Sequence, residues 1–213
     1  MKGLLIKDLC NLRQVAKQSL IVLAVLAAWC VFLKNYQLFP MMTIVYSMML
    51  MFTAMSYDEM VHFDKYALTL PVGRRELVRT KYVLLLILFF SGILVGLLGG
   101  ALFYLLFGSR EGLVLLEQAV SLLSVSAVYL LAFSVLLPII FRLGMEKARL
   151  FLALIFVVVF GLLYGAVMLV RSAGLEFTAG LAAGAVTAGV AASIISFFAS
   201  YRISVGIVKK KEW

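Results

Sequence analysis

Six long apolar stretches, at roughly 19–33, 38–56, 82–107, 118–141, 150–170 and 178–201, alternate along the chain with short charged segments. A helix needs about 20 residues to cross ~30 Å of hydrocarbon, and most of the six approach or exceed that length. The first is short, and Lys17 and Lys34 at its ends can extend it by reaching to the interface. The pattern therefore predicts an all-α integral membrane protein with six transmembrane helices. Residues 1–18 show a different pattern: Leu5, Leu9, Leu12 and Ala16 share one helical face, with Lys7, Arg13 and Lys17 largely elsewhere. This predicts an N-terminal amphipathic helix lying at the bilayer interface. The length of the positive region before the apolar run and the lack of a small-residue cleavage motif argue against reading the start as a removable signal segment.

Composition agrees with a chain solvated by lipid. Hydrophobic residues make up 65% of it and charged ones 14%, with a mean hydropathy of +1.13. Soluble domains are about half apolar and a quarter charged. The 213 residues suit one membrane domain, 1–213.

The cations set an orientation. Segments 1–18, 57–81, 142–149 and the tail from Arg202 carry four, five, three and four Lys or Arg residues, which is sixteen of the nineteen. The alternate loops carry only Lys34, Arg110 and Arg171. The positive-inside bias then places both termini and the 57–81 loop in the cytoplasm. Trp29, Tyr36, Tyr104 and Tyr164 fall near the expected outer ends, and Tyr82 and Tyr201 near the inner ends, as in the interfacial aromatic belts. The net charge of +9 is explained by these loops. No basic stripe interleaved with aromatics points to nucleic acid.

Several chemistries lack their residues. The predicted spans hold essentially no ionisable side chain, whereas an ion-coupled transporter keeps one at membrane depth. An intramembrane enzyme would need polar groups clustered at one depth. No GxxxxGK[ST] phosphate loop is present, so ATP hydrolysis is not expected on this chain. His62 is the only histidine and has no companions for a metal, so no metal site is predicted. Cys10 and Cys30 would stand ~30 Å apart along a helix, beyond disulfide reach.

Small residues recur at every fourth position: Gly92, Gly96 and Gly100; Gly161 and Gly165; Gly180, Gly184, Ala188, Ala192 and Ser196. Such faces let helices approach closely, within the chain or with a second copy. Methionines crowd the second span and its exit, among them Met48, Met51 and Met55. Flexible thioethers suit either ordinary packing or a path for varied apolar substrates.

The 57–81 loop is the longest and mixes charge with apolar side chains. Asp58 is predicted to cap a short helix that ends before Pro71. Leu77, Val78 and Tyr82 resume a helical spacing into the third span. A docking element and a plain linker are both compatible with that pattern. Asp58-Glu59, Phe63, Lys65-Tyr66-Ala67-Leu68, Leu70-Pro71-Val72, Arg74, Val78 and Lys81-Tyr82 resemble the signature of small ABC-2 type permeases, in particular the permease subunits of exporters for phenol-soluble modulins and other amphipathic peptides.

The resemblance implies six spans, an amphipathic helix before the first, and a coupling helix between spans two and three. It implies a separate ATP-binding subunit that carries ATP and Mg, with no cofactor on this chain. A second permease copy or a paralogue would complete the membrane part. Asp58, Glu59, His62, Phe63, Lys65 and Tyr66 would contact the ATPase, and Leu70, Pro71, Arg74 and Lys81 belong to the loop signature. The expected cargo is an amphipathic or antimicrobial peptide. Small hydrophobic drugs or lipids are the alternative, as is a peptide-sensing or immunity subunit that exports nothing.

Overall fold

The computed structural model describes the backbone of residues 2–67, 73–111, 115–172 and 179–210, and all of it is helical apart from short turns. Among the described residues there are seven helices: α1 (Lys2–Phe32), α2 (Leu38–Met60), α3 (Phe63–Ala67), α4 (Arg74–Glu111), α5 (Leu115–Leu143), α6 (Met145–Ser172) and α7 (Ala179–Lys210). No strand occurs among them. A helix satisfies its backbone hydrogen bonds internally, which apolar surroundings require. Among the described residues, five helices are long and apolar enough to cross a membrane: Gly3–Phe32, Leu38–Met60, Arg74–Leu106, Val120–Leu143 and Val186–Lys210. The sixth expected span falls in α6, where many side chains lie outside the described residues, and it is not among these five.

Three boundaries differ from the sequence expectation. The amphipathic segment and the first span form one unbroken helix, because nothing between Lys2 and Phe32 breaks the backbone pattern. The 57–81 connection is mostly helical, since α2 runs on to Met60 and α4 already starts at Arg74. Asp58 is therefore not an N-cap; it sits in the last turn of α2. The 142–149 loop reduces to Gly144, whose φ of 84° joins α5 to α6 in one residue.

The chain forms two compact units, one up to Ser126 and one from Ala127 onward. In the first, α2 packs against α4, α1 and α3, and α1 also meets α4. The α2–α4 seam is close because small residues face each other. A Cβ on Gly92 would lie 2.9 Å from that of Ser47, and one on Gly96 would lie 2.8 Å from Thr43 Oγ1. Thr43 and Ser47 turn their hydroxyls back onto Pro40 and Ile44 carbonyls, so neither is left unsatisfied. Met48, Met51, Leu84 and Leu85 fill the interior beyond the glycines.

At one end of this unit Cys30, Tyr36, Phe39 and Phe103 form an aromatic cluster. Phe103 stacks on Tyr36 at 5.4 Å and meets Phe39 edge-on at 5.3 Å. Tyr36 and Tyr82 are buried, so these two rings are packing residues rather than members of an interfacial belt. Trp29, Tyr104 and Tyr164 are exposed, as belt residues are. The chain turns from α1 to α2 through Lys34 in the left-handed region, φ 52°. Lys34 N–H donates to Val31 and Asn35 N–H to Cys30, the paired bonds of a Schellman cap.

In the second unit, Leu130, Phe133, Leu137 and Phe141 mark the buried face of α5, and Met145 and Ala148 that of α6. On α7, Ser193, Ser200, Ser204 and Val208 are buried along one face. No described atom lies within 4 Å of a Cβ placed on Gly161, Gly165 or Gly184. Close backbone approach is thus used at the α2–α4 seam and not at these three positions.

Candidate functional site: a buried charge quartet beneath α3

The end of the first unit opposite the aromatic cluster is built from the start of α1, the end of α2, the second turn of α4 and the short α3. Four charged residues converge there. Lys81 is buried, and its ammonium donates to Asp8 Oδ2 at 2.8 Å and to Asp58 Oδ2. Lys7 donates to Asp58 Oδ1 at 2.5 Å. It also stands 3.1 Å from Asp8 Oδ1, the one buried side-chain oxygen that accepts no hydrogen bond among the described residues. Two cations and two anions make a neutral group. Neutrality and mutual bonding offset part of the cost of taking the charges out of water.

Phe63, the first residue of α3, closes the quartet. Its ring centre lies 3.4 Å from Lys7 Nζ, a cation–π contact. Tyr66 lies one turn on, with ring centres 6.1 Å apart. Ala67 is buried at the base of α3, while Tyr66 is 59% exposed. The corner between α2 and α3 is His62, held at φ 47° with its N–H bonded to the Glu59 carbonyl. Beside this corner a groove of about 330 Å3 opens, lined by Lys7, Asn11, Gln14, Tyr57, Met60 and Phe63 among others.

The residues singled out from sequence divide by burial. Glu59, His62 and Tyr66 are exposed, as is Arg74 at the start of α4. Asp58 turns inward to the quartet at 6% exposure, and Phe63 is half-buried over Lys7. Lys81 counted as a loop cation in sequence; it is buried inside α4. The Lys65 side chain, Leu70 and Pro71 lie outside the described residues. Met48, Met51 and Met55 are buried at 0%, 0% and 7% exposure, so any substrate path along them would need α2 to part from its neighbours.

Lys7 and Asp8 were missed as partners of the loop. The available signal was Asp8, the only acid in the first 57 residues, set among cations. On α1 the buried positions before Cys30 are Leu4 and Asp8, whereas Leu9 of the expected apolar face is 42% exposed. Both cysteines are free, Cys10 exposed and Cys30 buried. No group of metal-binding residues occurs among the described residues.

The long apolar helices define a multi-pass helical membrane protein. The chain belongs to the ABC-2 transporter family: residues 3–209 match the family described as ABC-2 family transporter protein. Its members are membrane transport components that work with an ABC ATP-binding subunit. No curated protein and no solved structure matches the chain.

Proposed function

We propose that this chain is the permease of an ATP-driven exporter, and that α3 is the coupling helix through which the ATP-binding subunit moves it. The observation that carries this reading is the division of residues 58–66. Asp58 and Phe63 are anchored in the chain, while Glu59, His62 and Tyr66 face outward at the turn. A lever needs this combination of a fixed base and an open contact face. Lys65 belongs to the same contact in this reading. Both termini and α3 lie in the bacterial cytoplasm, following the cation bias. ATP binding closes the partner dimer, α3 is displaced, and the packed helices switch between two arrangements.

The permease pairs with a second copy of itself. Gly161 and Gly165 on α6 leave a small-residue face with open space around it, which suits close helix approach. The cargo is an amphipathic peptide of the phenol-soluble modulin type. Support comes from the spans, whose described interior carries no charged side chain away from the quartet and so offers no fixed charge to a sugar or an ion.

The test is purification of the tagged chain from its native membrane in mild detergent, with mass spectrometry of what accompanies it. A stoichiometric ATP-binding subunit, lost in Glu59→Ala with Tyr66→Ala, supports the reading. A chain that arrives alone in several detergents overturns it. Peptide protection that survives inactivation of the partner's ATP site would identify a sensing or immunity subunit instead.

A further inference from the structure

The charge quartet joins segments that are far apart in sequence. Lys7 and Asp8 come from α1, Asp58 from α2 and Lys81 from α4, and the bonded pair Asp8 and Lys81 is 73 positions apart. At this end of the unit three contacts link the foot of α1 to the rest: Lys81 with Asp8, Lys7 with Asp58, and Lys7 with the Phe63 ring. The last of these reaches α3 itself. Asp8 and Lys81 are both at least nine-tenths buried, so solvent does little to screen the pair. A surface ion pair holds a geometry weakly; a buried, multiply bonded one resists separation, because each group freed would be left without a partner.

We infer that Asp8 and Lys81 are positioning residues that fasten the foot of α1 to the coupling loop, so that displacement of α3 is delivered to α1 as well as to α2 and α4. The inference rests on α3 being the contact with the ATP-binding subunit. α3 is five residues long and adjoins α2 through the left-handed His62. So short a helix has little rigidity of its own, and Phe63 against Lys7 and the buried Ala67 support it from the side. A push on α3 meets the quartet first. With the quartet intact α1 follows; with it cut, α3 shifts while α1 stays.

Hydrogen exchange on the full chain, alone and with its co-purified ATP-binding subunit, reads this directly. In the chain alone, Lys81→Met is expected to lower protection of amides 2–17 and 61–67 at least about tenfold, with 84–106 unchanged and Lys81→Arg close to the parent. In the complex, a non-hydrolysable ATP analogue is expected to change exchange in 61–67 and 2–17 together. Asp8→Asn, which keeps the shape and removes the charge, should retain the first response and lose the second. A parent complex in which the analogue changes 61–67 alone overturns the inference, as does unaltered protection in both Lys81→Met and Asp8→Asn. If Lys81→Met fails to fold, Asp8→Asn carries both arms. A parent chain that retains no ATP-binding subunit refutes the reading of α3, while the comparison in the chain alone still decides whether the quartet holds α1.

Discussion

Lys7 places its ammonium 3.4 Å from the centre of the Phe63 ring while bonding Asp58, so one side chain ties α1 to both α2 and α3. Residues 56 positions apart thus meet where a partner would push. The short helix beside the turn is held by tertiary contacts, since five residues cannot form a stable helix alone.

Phe63→Leu keeps an apolar side chain but removes the ring face. The expected cost is about 0.5–2 kcal/mol, the range of cation–π contacts. Thermal unfolding in detergent should show a small loss, and proteolysis within 61–67 should rise more than elsewhere.

Lys81→Met leaves Asp8 with only Lys7 nearby and removes one bond from Asp58. Breaking a buried pair from one side costs about 3–5 kcal/mol. Asp8→Leu combined with Lys81→Met removes a cation and an anion together and leaves Lys7 bonded to Asp58. The double variant is expected to be more stable than Lys81→Met by unfolding midpoint. Equal or greater loss in the double variant would refute the quartet as the source of the effect.

His62 sits at φ 47°, where side chains other than glycine are strained by about 1–2 kcal/mol. His62→Gly should raise the unfolding midpoint slightly, and His62→Val should lower it. If the imidazole also meets the ATP-binding subunit, His62→Gly will weaken co-purification while stabilising the permease alone.

Gly92→Ala would place a Cβ 2.9 Å from Ser47 Cβ and 2.2 Å from its hydroxyl oxygen. The hydroxyl can rotate away, but the Cβ cannot, so α2 and α4 must separate. A loss of about 1–3 kcal/mol is expected from such overpacking. Gly184→Ala, with open space around it, should be neutral in the monomer, which makes it the internal control.

Cys10 is exposed on α1 and Cys30 is buried. A membrane-impermeant maleimide should label Cys10 in inside-out vesicles and leave right-side-out vesicles unlabelled. Cys30 should stay unreactive until the chain is denatured. Labelling of Cys10 from the outside would reverse the proposed orientation.

The existence and approximate limits of the long helices were legible in the order of residues, because an apolar run of that length has few alternatives in water or lipid. The helix ends were less so. Local polarity marked 57–81 and 142–149 as loops, whereas hydrogen bonding carried α2 to Met60 and left only Gly144 between α5 and α6. Helices can extend well past their apolar span, and hydropathy does not record that.

The sequence by itself determined a membrane-spanning helical protein, its cation bias and the loop signature that resembles ABC-2 permeases, since each depends on neighbouring residues or on counts. Only the tertiary structure decided the partners of Asp58 and Lys81, the burial of Tyr36, Tyr82 and the methionines, and the tie between α1 and α3. A charge reads the same in sequence whether water or another charge neutralises it. Which of the two does so depends on the packing of helices distant along the chain, and at Asp8 and Lys81 that packing brings together two groups 73 positions apart.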